Sequence, residues 1–323
     1  MRIADIKPGQ QVRTQLLVSR AETRVSRTGG KYLWSLLKDR EGASMVALMF
    51  DAPASALDSV VPGVTVDVVA EADEYQGNVN LKLTSIDPAA EQWDLSELLP
   101  KSEKDPDEML RNLREYAAGI EDTEVSAVVE SVLRLPQVAD RLAKWPAAKM
   151  RHHAVVGGLI EHVLEVLSLA DATCRIFPAL DKSLLFAGCI LHDIGKVVEL
   201  SLGAEIDYAP EGVMVGHVVI GDELVNTACV ETKCPPDKAM VLRNLVLSHH
   251  GSFEFGSPVL PKTPEAVALH LIDMLSSQTR NALESVAHAS HRSPGDPISQ
   301  WDRSAARSWF IGASGPQQED EAQ

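Results

Sequence analysis

A small set of polar residues constrains this 323-residue chain more than anything else, because each falls where a helix would carry an apolar stripe. His162 shares a helical face with Leu159, Val163 and Val166. His192 follows Leu185 and Gly188 by seven and four positions, and Asp193 stands where that helix is expected to end ahead of Gly195. His217 opens a segment whose same side carries Ile220, Gly221 and Leu224. His249, with His250 beside it, follows Leu242 and Leu245, and Asp273 follows Ala266, Leu269 and His270. Residues three, four and seven apart lie on one helical face, so these groups point toward a core.

A buried imidazole or carboxylate is costly without a partner. A lone inward histidine is ordinarily a hydrogen-bonded core residue. Seven such groups on five expected helices are harder to satisfy with one another, and a divalent metal centre satisfies them together. Imidazole and carboxylate donors suit Mn, Fe, Co, Ni or Zn, so the donor set does not choose among these ions.

The rest of the chain divides by pattern. Residues 1–88 read as five short strands. Val12 to Ser19 is β-prone, Gly29-Gly30 and Glu41-Gly42 turn the chain around Lys31 to Lys38, and Ser44 to Phe50 follows. After a gap near Pro53–Pro62, Val64, Val66 and Val68 alternate, as do Val79, Leu81 and Leu83 beyond Gly77-Asn78. That spacing predicts a small Greek-key barrel of the OB type. Residues 89–106, with Pro88, Pro100 and Pro106 nearby, read as a linker. From residue 107 to 290 the pattern is helical, with Asp107 a candidate cap and a short extended excursion expected at 201–215. Residues 291–323 read as an extension whose last ten or so residues are expected to be disordered. The fold class expected is therefore an all-β barrel followed by an all-α domain.

The net charge of −16 argues against wholesale coating of nucleic acid, but the charge is unevenly spread. Residues 1–40 carry nine Lys/Arg against three Asp/Glu, whereas residues 41–90 carry one against eight. Read alone, that is either a solvated mixed-charge surface or a local basic one. The four cysteines form no C-x-x-C pair, Cys189 lies in an apolar run, the N-terminus has no apolar signal core, and no run of ~18 apolar residues occurs. A soluble, reducing, cytoplasmic setting without membrane contact is the expectation.

The stretch Leu191-His192-Asp193-Ile194-Gly195-Lys196, with His162 before it and Asp273 after it, resembles the HD phosphohydrolase superfamily. The added His217, His249 and His250 resemble its two-metal subset. In that pattern His162, His192, Asp193 and Asp273 would hold one ion, and His217, His249 and His250 a second, with Asp193 bridging. Pro146 to Lys149, Gly157 to His162, Gly216 to Gly221, Ser248 to Gly251 and Phe255 to Glu265 are similar to the YhaM-type 3′→5′ exoribonucleases. The resemblance runs to about residue 285 and implies an OB-type nucleic-acid-binding domain ahead of the HD domain, with Mn²⁺ the favoured metal. A two-ion site would activate a water and offset charge on the phosphoryl oxygens.

Single-stranded RNA or DNA is the implied substrate, cut from its 3′ end to nucleoside monophosphates. The alternatives are hydrolysis of a small nucleotide or cyclic dinucleotide, and a non-enzymatic RNA- or nucleotide-binding regulator. Lys196 is a candidate catalytic residue, able to neutralise a phosphate oxygen, or else a helix-terminal cation. His152 and His153 either approach substrate or are structural, His270 reads as packing, and His288 and His291 read as peripheral. On the barrel the candidate nucleic-acid contacts are Arg24, Arg27, Lys31, Tyr32 and Trp34. Tyr32 and Trp34 share one face of their strand with Leu36, opposite Leu33, Ser35 and Leu37. If the Leu33 face is core, the two aromatics lie outside; if not, Trp34 is core. Phe50 reads as core. A homo-oligomer is compatible with processive degradation.

Overall fold

The computed structural model describes residues 1–26, 29–75, 77–150 and 153–312. They form two compact units. One is Met1–Pro100 together with Leu202–Asp207; the other begins at Lys101 and leaves out that short insertion.

The first unit is a closed barrel of β1 (Gln11–Val25), β2 (Lys31–Lys38), β3 (Ser44–Phe50), β4 (Thr65–Tyr75) and β5 (Asn78–Pro88) in the order β1-β2-β3-β5-β4. All pairings are antiparallel except β3 with β5. This is the OB-type arrangement expected. The proline-flanked gap holds a short helix, α1 (Ala54–Ser59), whose Ala56 is buried. Side-chain alternation sets the core: Leu33, Ser35 and Leu37 point in, as do Val66, Val68 and Ala70. β1 is longer than its apolar run suggests. A bulge between Val18 and Arg20 lets it leave β4 and continue along β2, where its exposed residues are polar except for Val25 at the end.

Phe50 is not core. Its register partner is Tyr32, so it shares the outer face, 53% exposed, and its ring stacks on Tyr32 at 5.5 Å. The parity of β3 against β2 decides this, and hydrophobicity alone does not reveal it. Between barrel and helices lies α2 (Leu95–Leu98), preceded by the buried Trp93 and by Gln92, whose side chain bonds both the N–H and the carbonyl of Thr65.

The second unit is helical: α3 (Pro106–Ala118), α4 (Thr123–Arg134), α5 (Pro136–Ala139), α6 (Gly158–Ile176), α7 (Lys182–Leu191), α8 (Lys196–Glu199), α9 (Pro210–Val215), α10 (His217–Glu231), α11 (Pro236–Ser248) and α12 (Pro264–Ala287). The cap of α3 is Asp105, which accepts from the N–H of Asp107 and Glu108; Pro106 fits the first helical position, where no N–H is needed. The 201–215 stretch is extended only in part. β6 (Leu200–Leu202) and β7 (Ile206–Tyr208) form a two-stranded ribbon, and Pro210 then opens α9. The core is aliphatic, with Val125, Val129, Leu159, Val166, Leu185, Ile190, Leu245 and Leu269 fully buried. Among the described residues no helix is long and apolar enough to cross a membrane.

Candidate metal centre

Five helices deliver the seven side chains to one place. His162 lies in the first half of α6. His192 caps α7, and the chain turns there so that Asp193 follows at once. His217 starts α10, His249 caps α11 with His250 after it, and Asp273 lies in α12. The turn after Asp193 depends on Gly195: a Cβ there would stand 2.1 Å from the carbonyl oxygen of His217 and 2.7 Å from the nitrogen of Gly221. Backbone of α10 therefore rests directly on the His-Asp turn.

The donors fall into two groups. His162, His192 and Asp193 bring donor atoms within 4.8 Å of one another, and so do His217, His249 and His250. His162 Nε2 lies 3.3 Å from His192 Nε2, 3.6 Å from Asp193 Oδ2 and 3.2 Å from Asp273 Oδ1. Two donors on one ion stand about 3.0–3.4 Å apart when metal–nitrogen distances are near 2.1 Å, so this spacing matches a shared cation. The other Asp193 oxygen, Oδ1, faces the second group, 3.5 Å from His217 Nε2 and 3.7 Å from His249 Nε2.

Hydrogen bonds fix which ring nitrogens are free. His192 Nδ1 lies 2.9 Å from the carbonyl of Cys189, and His249 Nδ1 lies 2.7 Å from that of Val246. A carbonyl only accepts, so both Nδ1 atoms carry the proton and both Nε2 atoms present lone pairs to the centre. Glu199 does the same for His217, accepting from its Nδ1 at 2.9 Å and from its main-chain N–H at 3.0 Å. His217 Nε2, His249 Nε2 and His250 Nδ1 are buried with no hydrogen-bond partner. Orphaned lone pairs beside a carboxylate are what a cation would satisfy, and the residues fit a metal.

The charge states agree. Burial pushes the imidazoles of His192, His249 and His250 below their ordinary value, leaving them neutral near pH 7, as ligation requires. Burial also pushes the Asp193 carboxyl up, but its neighbours, the Lys196 ammonium foremost, outweigh it and hold the carboxylate ionised. Lys196 Nζ donates to Asp193 Oδ2 at 2.6 Å; burial works against its charge, and Asp193 restores it. Asp273 is likewise held low, its contact with the His162 ring at 3.2 Å outweighing burial.

The remaining sequence candidates lie elsewhere. His153 is buried, bonded to Glu165 at 3.2 Å and tilted against His162 with ring centroids 5.6 Å apart, so it packs beside the site. His152 and Arg27 lie outside the described residues. His270 packs as expected, its Nδ1 donating to the His249 carbonyl. Glu199 was missed from sequence, since one carboxylate in a four-residue helix carries no periodic signal.

On the barrel, the Leu33 face is core, which puts Tyr32 and Trp34 on the half-exposed outer face. Arg24, paired to Glu22 at 2.7 Å, lays its guanidinium 4.2 Å over the Trp34 ring. Lys31 is exposed at the start of the same strand.

An HD domain family model matches residues 159–278, a span that includes all seven side chains. The 3′-5′ exoribonuclease YhaM of Bacillus subtilis (strain 168) is 33% identical over 272 residues, covering 84% of this chain and 86% of that protein. Among solved structures, a domain of replication protein A from Methanococcus maripaludis shares 20% identity over 27% of this chain and 92% of its own, with a TM-score of 0.24. The second OB-fold domain of that protein, solved by NMR, shares 16% over 29% of this chain and 98% of its own, also with a TM-score of 0.24. With identity at this level along most of both chains, this chain belongs to the YhaM family of 3′-5′ exoribonucleases.

Proposed function

We propose that this chain is a metal-dependent 3′→5′ exoribonuclease that releases nucleoside monophosphates from single-stranded RNA, with residues 107–290 as the hydrolase and 1–88 as the strand-binding domain. The observation that carries the chemistry is the Asp193 carboxylate between two clusters of imidazole donors, three of whose nitrogens are buried and unpartnered. His162, His192, Asp193 and Asp273 would hold one divalent ion, and Asp193, His217, His249 and His250 a second, Mn²⁺ being favoured by the family. A pair of ions held there supplies an activated water and neutralises charge developing on the phosphoryl oxygens.

The chain's own part is preorganisation. Cys189, Val246 and Glu199 lock three imidazoles in the tautomer that presents Nε2. Lys196 keeps Asp193 ionised and stands in the cleft as a cation for a phosphate oxygen. The half-exposed rings of Tyr32, Trp34 and Phe50, with Arg24 and Lys31, give the barrel a surface suited to unpaired bases. The cytoplasm is the setting that fits this activity.

The test is incubation with Mn²⁺ and a 5′-labelled single-stranded RNA, with a cyclic dinucleotide as competitor substrate. A ladder shortening from the 3′ end with monophosphate release is expected. Turnover of the cyclic dinucleotide alone would replace this reading with that of a small-nucleotide hydrolase.

A further inference from the structure

The metal cleft is bounded by more than ligands. Phe255 joins His162, Asp193, Lys196, His250 and Asp273 around a cleft of about 290 Å³, and it is 61% exposed. A large aromatic left in water beside charged groups is a common mark of a binding surface. The loop that carries it is well held. Gly251, at φ +80°, lies so close to the His270 ring that a Cβ would come within 2.3 Å of it. Ser252 then accepts from the N–H of Phe255 at 3.2 Å and of Ser257 at 3.1 Å, closing the turn. The backbone that carries the ring is thus held in place five residues beyond His250.

α12 supplies further lining. Asp273, Met274, Ser277 and Gln278 all border the cleft, at the three- and four-residue spacing of one helical face. At 1.5 Å per residue the strip from Asp273 to Gln278 is about 7.5 Å long. It begins at a proposed metal ligand and ends at a neutral amide, with an apolar thioether between.

We propose that Phe255 is the stacking platform for the base of the 3′-terminal nucleotide, with Met274 and Gln278 completing a nucleoside subsite beside the metal centre. The proposal deepens the exonuclease reading and rests on it. An aromatic ring suits the task because every base has a π-face, so stacking holds any terminal nucleotide without reading its edge. Stacking the base in this way holds the terminal nucleotide within reach of Asp193 and Lys196, and because the stack is the same in the ground and transition states it enters KM rather than kcat. Phe255 is in this sense a binding residue. Phe253, on the same loop and 65% exposed, does not border the cleft and provides a control.

The experiment uses the full chain with Mn²⁺ and two 5′-labelled RNAs that differ only in the 3′-terminal residue, which carries a base in one and is abasic in the other. Release of the first residue is followed for the wild type, Phe255→Ala, Phe255→Trp and Phe253→Ala. Phe255→Ala is expected to raise KM on the intact RNA roughly tenfold, with kcat within about twofold, as for loss of one base stack. The wild type on abasic RNA should show the same rise, and Phe255→Ala should add nothing further there. Phe255→Trp should restore binding, and Phe253→Ala should behave as wild type. A wild-type KM for Phe255→Ala on intact RNA would overturn the proposal, as would an equal loss on both RNAs. A wild type inert on both RNAs would instead overturn the exonuclease reading on which the subsite depends.

Discussion

Glu199 is the residue through which metal positioning can be perturbed without touching a proposed ligand. Its carboxylate is largely buried, and Oε1 receives two hydrogen bonds from one residue: the His217 ring Nδ1 at 2.9 Å and the His217 main-chain N–H at 3.0 Å. Burial pushes the Glu199 carboxyl up, but these bonds outweigh it and keep the group ionised. In Glu199→Ala the imidazole loses both its orientation and its tautomer. Loss of such an outer partner typically weakens metal binding about 10–100-fold, or roughly 1.4–2.7 kcal/mol at 1.36 kcal/mol per tenfold. In Glu199→Gln the amide oxygen still accepts both bonds, so only the charge is lost and affinity should fall by about tenfold or less. Mn²⁺ titration by competition with a fluorescent chelator measures this directly. A parallel melt in EDTA reports any loss of fold, expected at about 1.5–3 kcal/mol for bonds to a charged acceptor. Wild-type metal affinity in Glu199→Ala would refute the reasoning.

Other consequences follow from the same geometry. Gly195→Ala places a Cβ against three main-chain atoms of α10, and backbone cannot yield as a side chain does. The cost should exceed the roughly 1–3 kcal/mol of ordinary overpacking, and an unshifted urea midpoint would contradict it. His153 is held at about 4 in the fold, chiefly by burial, against 6.5 when exposed. As pH falls the unfolded chain binds this proton first, so the His153 contribution to the stability of the metal-free protein is fully present above 6.5, and up to about 3 kcal/mol of it is lost by pH ~4, beside what His192, His249 and His250 add. His153→Gln should flatten that slope in chemical melts at fixed pH. On the barrel, Phe50→Ala should cost RNA binding about 1–3 kcal/mol in anisotropy titrations while leaving metal content unchanged.

The helical positions of the seven metal-centre side chains were readable because each carries its own periodic context. His249 behind Leu242 and Leu245 is inward whatever the tertiary fold, and the structure does gather it with the other six. The barrel strands and their buried faces are readable for a similar reason, since alternation at Val66 and Val68 or Leu81 and Leu83 names the face that enters the core. What escaped depends on register or on chain reversal. Phe50 is apolar and ends a strand, and only its pairing opposite Tyr32 puts it outside. Glu199 matters only because the turn at Gly195 brings α10 back over it. Asp107 is two residues too late as a cap, because Asp105-Pro106 is the stronger start. Phe255 lies in a loop, where no period distinguishes a site residue from a surface one.

The central claim is that Asp193 joins two ions in one centre. The direct measurement is the number of Mn²⁺ ions retained per chain after desalting, by elemental analysis, for the wild type and Asp193→Ala, with RNA shortening assayed on the same samples. The account predicts two ions and 3′-end shortening for the wild type, with both lost in Asp193→Ala while its barrel still binds RNA. A single ion per wild-type chain, or an Asp193→Ala protein that still shortens RNA, would contradict it.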